Sequence, residues 1–249
     1  MAGSNNNSIS KGRKAFRLFP CLLLFLLYAE YIQAQDSLPD SIVTIRLQTI
    51  QQMLQEGKKN ANRWWYGWLI GYGAATVAQG TAIFFSEDLN TRQDLALGAA
   101  TTFLGAAGQV FTPNVPGYAS GRLELIPEGT SEERLNKLSE AETLLRESSR
   151  REAIGRSWKT HVIFSVVNLS SGLITWLGFD RDIWAGLGNF ALNTVITEAQ
   201  IFSQPTRAIK DYQHYQKNYG TGFNQGDLKR DVYWNIHVYA GGFLIRVVF

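Results

Sequence analysis

The chain of 249 residues has one cysteine, three histidines, a small net charge and no long unbroken run of strongly apolar residues. A single cysteine excludes a disulfide framework and a thiolate-ligated zinc site. His161, His214 and His237 are scattered without metal-ligand spacing, so neither a metal nor a cofactor is expected. No phosphate-binding loop and no G-x-S-x-G elbow occurs. Gly71-Tyr72-Gly73 begins like a dinucleotide fingerprint but sits in a helical pattern and lacks the third glycine. Drawing His161 with Ser170 or Ser171 as a hydrolase dyad rests on residue type alone. The expectation is therefore a protein that is not an enzyme.

The net charge of +3 is also less than it looks. Lys11, Arg13, Lys14 and Arg17, against Glu30 alone, lie in the first 34 residues, and the remainder carries 20 charges of each sign. A neutral remainder gives no footprint for nucleic acid, so none is expected as a partner. What the chain does have is apolar and aromatic content, 45% and 12%, too much for a disordered protein. A mean hydropathy of -0.13 argues against a protein made mostly of strongly apolar spans.

Residues 1–34 read as a secretory signal peptide. A basic stretch over 11–17 precedes the Leu/Phe run from Leu22 to Leu27, and Ala34 offers a small residue for cleavage. The run from Phe19 to Ala29 is too short for a bilayer, which takes about 20 residues. Cys21 precedes the end of that run, where a lipidated cysteine would follow it, so the cleaved chain is expected to be free of cysteine.

The strongest internal signal is a duplication. Arg46 to Ile50 opens one amphipathic stretch and Arg134 to Leu138 another; each is followed by an apolar run, a short charged loop and a second apolar run. The second runs end alike, in Gln109-Val110-Phe111-Thr112-Pro113 and Gln200-Ile201-Phe202-Ser203-Gln204-Pro205. The predicted fold is mainly α and membrane-associated: two tandem repeats of amphipathic helix plus apolar helical hairpin, giving four candidate spans, with a C-terminal β-hairpin. Repeat 1 takes 35–117, with helices at 41–60, 64–86 and 95–112. Repeat 2 takes 118–205, with helices at 131–155, 160–179 and 183–203. Residues 206–249 hold a helical extension and the hairpin, in which Phe243, Ile245, Val247 and Phe249 alternate on one face. Thr130 to Glu133 and Thr91 to Asp94 have the form of capping boxes, and Pro113 and Pro205 stop the hairpins.

Three sets of residues stand out. Gly67, Gly71 and Ala75, and likewise Gly98, Thr102 and Ala106, place small residues on one helical face, as close helix packing in lipid requires. Asn168, Asn189, Asn193, Glu198, Gln79, Gln109 and Gln200 are polar groups inside apolar runs. They need partners in hydrocarbon, so they are predicted to face the bundle interior, either as interhelical hydrogen bonds or as a polar path. Trp64, Trp65 and Trp68 beside Lys58, Lys59 and Arg63, and Trp158 beside Arg156 and Lys159, have the look of an interfacial belt. The expected partners are the lipid bilayer and a protein partner or second copy. The expected location is the cell envelope, in an outer or an inner membrane. Charge complicates the choice: after export the basic segment from Arg122 to Lys159 would face outward, against the positive-inside tendency.

Overall fold

A computed structural model describes residues 38–220, together with the backbone alone of two extended segments, Tyr233–Tyr239 and Gly242–Val248. The expected signal peptide lies outside the described residues, and so does the expected C-terminal hairpin as a packed element. Residues up to Val43 group apart from Thr44 onward, and the packing below concerns Thr44 onward.

The described chain is mainly helical. Helix α1 runs Asp40–Ala82 and passes through a short 3-10 turn, Ile83–Phe85. α2 is Leu89–Phe111, α3 is Val115–Glu124, and α4 is Ser131–Gly155. α5, Trp158–Leu173, continues into a π-helical turn, Ile174–Gly178; α6 is Ile183–Ser203 and α7 is Arg207–Tyr219. Two stretches, Leu89–Glu124 and Trp158–Gly178, are long and apolar enough to cross a membrane. The stretch within α1 and that of α6 fall short of this measure. Asn189, Asn193, Glu198 and Gln200 dilute the latter.

Local chemistry sets most of the boundaries. Thr130 caps α4 by accepting the Glu133 amide at 3.2 Å, while the Glu133 carboxylate accepts the Thr130 amide at 3.0 Å, the reciprocal box read from the sequence. Asp182 starts α6 by accepting the Ala185 amide at 3.0 Å. α2 begins earlier than expected. Asp88, not Thr91, is its cap, and its carboxylate accepts both the amide and the hydroxyl of Thr91 at 2.7 Å. The helices expected at 41–60 and 64–86 are one continuous helix, because no proline interrupts 58–66 and Asn62 spends its side chain on Gly117 and Asn114 instead of capping a new start. α3 was not expected: Pro116 lies in its first turn, where a missing N–H costs nothing.

From Thr44 onward the packing divides into two parts of opposite polarity. In the first, the α1 residues Leu47, Ile50 and Leu54 are buried, as are Ala119 and Leu123 of α3. Leu138, Ala141, Leu144 and Leu145 of α4 and Ala208, Ile209, Tyr212 and Tyr215 of α7 are buried too. This part is an ordinary helical bundle with an apolar core. Leu135 is exposed, and Leu138, Ala141, Leu144 and Leu145 form the buried face of α4. Polar contacts close the rim, with Arg46 donating to Tyr215 and paired with Glu142, and Lys137 paired with Glu128 at 3.0 Å.

The second part comprises α1 beyond Trp64 with α2, and α5 with α6, each pair forming a hairpin. Here the large apolar side chains point outward. Ile70 and Val77 of α1 are both 68% exposed, and Phe103, Val166, Leu192 and Val195 are exposed as well. Polar side chains are the ones turned in, including Gln109, Asn168, Ser171, Thr175 and Gln200.

Truncation tests this division. Ile50→Ala opens a cavity in a sealed core and is expected to destabilise the bundle by about 2–5 kcal/mol. Ile70→Ala trims a side chain that is mostly exposed and is expected to change stability by less than about 0.5 kcal/mol. Denaturant unfolding of the detergent-solubilised protein, followed by circular dichroism, measures both.

Candidate functional site

The polar interior of the hairpins is built from three levels. At the bundle end, Gln200 Nε2 donates to Gln109 Oε1 at 3.1 Å, and the Tyr72 hydroxyl donates to Gln200 Oε1 at 2.9 Å. Gln109 Nε2 in turn donates to the Trp65 carbonyl at 3.2 Å. Beside this node His161 Nδ1 lies 3.0 Å from Glu198 Oε1, with the imidazole tilted against Phe202. His161 Nε2 is buried and has no hydrogen-bond partner among the described residues.

One level higher, Asn168 Nδ2 donates to Thr197 Oγ1 at 2.9 Å, and Thr76 shares a hydrogen bond with Thr102 at 2.9 Å. Next comes a three-residue knot between α5 and α6. Ser171 Oγ donates to Asn189 Oδ1 at 2.6 Å, and Asn193 Nδ2 donates to the same oxygen at 2.8 Å. Gln79 lies against Gly98, so close that an added Cβ there would sit 1.9 Å from its oxygen. All seven polar residues singled out from sequence are thus brought to the helix interfaces. An amide with a partner in an apolar surround binds helices together, and each such contact contributes about 0.6 kcal/mol on average in lipid.

The two small-residue faces part company. Gly98 and Thr102 meet α1 through Gln79 and Thr76, as a packing face should. Ala106 is half-buried. Gly67 and Gly71 do not pack: a Cβ at either would meet nothing within 4 Å, and both are exposed, with Ala75 half-buried. A close helix approach occurs instead at Gly172 and Gly186, where an added Cβ would come within 2.8 Å of the opposite glycine's carbonyl oxygen. Helical spacing identifies residues that share a face. It carries no information on which face meets a neighbour, and the first stripe meets no other helix among the described residues, which leaves a face for a second copy as its other expected use.

The tryptophans act through their ring N–H groups. Trp64 donates to the Gln200 carbonyl at 3.1 Å, Trp65 to the Thr112 carbonyl at 3.2 Å, and Trp68 to Ser203 Oγ at 3.0 Å. Arg156 donates to the carbonyls of Phe202 and Gln204. These donors satisfy the carbonyls that α2 and α6 leave open at their C-terminal ends. Trp158 is half exposed. The two matching end motifs, Gln109 to Pro113 and Gln200 to Pro205, therefore converge at one level.

Beneath them Glu152 of α4, 3% exposed, accepts the Ile209 amide at the start of α7 at 3.3 Å. Its neighbour Arg151 donates through Nε to the Pro113 carbonyl at 3.3 Å. Neither was singled out from sequence; only the helical spacing of Glu152, four, seven and eleven residues after Ser148, Leu145 and Ala141, hints that it faces inward. Burial pushes the Glu152 carboxyl up to about 8, and the backbone hydrogen bonds from Ile209 and Ala208 only partly offset it. At the opposite end of the hairpins Arg181 pairs with Asp94 at 3.5 Å, joining the two tips.

The raised carboxyl sets a sign. Between about 4.5 and 8 the folded chain holds a proton on Glu152 that the unfolded chain releases. The stabilisation is full below that window and is lost as pH rises through it. Thermal unfolding midpoints are therefore expected to fall from pH 5 to pH 8.5, and Glu152→Gln, neutral throughout, is expected to flatten the slope.

No protein-family model, no curated protein and no solved structure matches this chain.

Proposed function

We propose that this is a non-enzymatic membrane protein of the cell envelope, with a structural role or a role as a subunit of an assembly. The observation that carries the reading is the inversion of polarity at Trp64: apolar core on one side, apolar exterior with hydrogen-bonded amides inside on the other. Exposed apolar surface costs about 25 cal/mol per Å² in water and nothing in hydrocarbon. Inward amides are the arrangement a bilayer demands. Dimensions agree. The 21 residues from Trp158 to Gly178 rise about 31 Å, against a hydrocarbon core of about 30 Å. Trp64, Trp65 and Trp68 then fall at one interface, beside the exposed cations Lys59, Arg63 and Lys159.

In this reading all four hairpin segments span, and the two hairpins are copies of one unit. The Gln109–Gln200 hydrogen bond supports the duplication, since it joins equivalent positions of the two copies. The signal peptide exports the chain, and the bundle lies on one face of an outer or inner membrane. The open stripe of Gly67 and Gly71 is where a protein partner or second copy would pack.

The second reading is a small transport or channel component. It is favoured by the polar ladder from His161–Glu198 through Asn168 to Asn189 and Asn193. Replacing Asn189 and Asn193 by Ala separates the two. The structural reading expects a loss of stability and no change in solute flux in the protein that remains folded; the transport reading expects flux to collapse.

Sidedness tests the spanning arrangement itself. Single cysteines at Asn90, beside the first hairpin tip, and at Asn136, on the exposed face of α4, replace exposed residues in a Cys21→Ser background. A membrane-impermeant maleimide is expected to reach them from opposite sides of the membrane. Labelling of both in the same preparation would contradict it.

A further inference from the structure

We propose that the cleft between the two hairpins, at their bundle end, binds one anionic glycerophospholipid, with an acyl chain along Leu104, Gly108 and Phe164 and the phosphate on Arg151. The inference rests on the bilayer reading above. The cleft is open to its surroundings and has a volume of about 210 Å³, too small to enclose a whole lipid but open for an acyl chain laid along it. Its long walls are apolar: Leu104 is exposed along it, and Gly108 contributes no side chain, leaving open space where a Cβ would stand.

Its bundle end is polar and cationic. Arg151 spends only its Nε on the protein, toward the Pro113 carbonyl, and the two terminal nitrogens donate to no protein group among the described residues. Glu152, next in sequence, accepts backbone N–H from α7 and leaves the guanidinium without a bonded carboxylate. A planar donor with two free nitrogens matches a phosphate in a bidentate manner. The depth fits as well. Trp64 lines the same cleft, and tryptophans mark the level of lipid headgroups. Exposed Lys59, Arg63 and Lys159 near this level add charge of the sign that attracts anionic lipid. Acidic residues predominate at the far tips (Glu87, Asp88, Asp94, Asp180 and Asp182), so the charge complementarity belongs to one leaflet.

Native mass spectrometry of the full chain in neutral detergent tests the assignment. The probes are dioleoyl-phosphatidylglycerol, dioleoyl-phosphatidylcholine with the same chains, and glycerol 3-phosphate. One phosphatidylglycerol per chain is expected to be retained, with phosphatidylcholine held roughly tenfold more weakly and glycerol 3-phosphate not retained. Gly108→Phe places a ring in the cleft from a position where a Cβ meets nothing within 4 Å, and is expected to weaken phosphatidylglycerol about tenfold with the fold intact. Arg151→Lys keeps the charge but loses the fork, and is expected to reduce the preference between the two lipids. Equal retention of both lipids by the parent chain, unchanged retention by Gly108→Phe, or retention of glycerol 3-phosphate alone would overturn the proposal. A chain that stays soluble and monodisperse without detergent would instead overturn the bilayer reading.

Discussion

The buried amide pair of Gln109 and Gln200 is the contact on which the arrangement turns. It joins α2 to α6 at the level where both hairpins leave the bundle, and it is tied to α1 through the Tyr72 hydroxyl and the Trp65 carbonyl. Away from water, an amide left without a partner costs several kcal/mol, so the four groups hold one another in register. The indole N–H groups of Trp64 and Trp65 add the same constraint to the helix ends, donating to the carbonyls of Gln200 and Thr112, which lie in or just past the last turns of α6 and α2. On one side of this level the chain packs by apolar burial, and on the other by hydrogen bonds. In the proposed reading, the surrounding medium that makes the second mode favourable is lipid.

Much of this was legible in the sequence wherever a boundary has its own local chemistry. Thr130 with Glu133 and Asp182 before Ile183 start helices by side-chain bonds that need no tertiary context. The interior position of the amides followed from desolvation alone. The rest depended on what lies opposite. Lys58 to Trp68 marks a change of surroundings, not of backbone, and so α1 continues through it as a single helix. Pro113 reads as a stop, yet Pro116, a proline in a first turn, also permits a start, and α3 follows at once. Ser171, Thr194 and Thr197 are too ordinary in composition to be picked out as partners of Asn189, Asn193 and Asn168. Gly172 and Gly186, where the helices of the second hairpin approach closely, look no different in sequence from Gly67 and Gly71, which face outward.

The division also assigns different tasks to the two parts. The bundle of α3, α4, α7 and the first half of α1 has the buried leucines and rim ion pairs of a self-sufficient fold. It holds the hairpin bases through Glu152, Arg151 and Arg156, which contact the start of α7 and the chain ends after α2 and α6. Apart from His161 Nε2, the polar groups described above are engaged in contacts between helices, and this favours a structural role for the hairpins over a conducting one.

The central claim is that the outward apolar face of the hairpins meets lipid, and spin-label accessibility measures this most directly. Nitroxides would be placed singly at Ile70 and Leu192 on that face and at Asn136 on the bundle surface, in chains reconstituted into phospholipid vesicles. At Ile70 and Leu192 relaxation is expected to be enhanced by dissolved oxygen, which concentrates in hydrocarbon, and to be insensitive to a water-soluble nickel chelate. Asn136 is expected to show the reverse. Nickel accessibility at Ile70 and Leu192 equal to that at Asn136 would contradict the account.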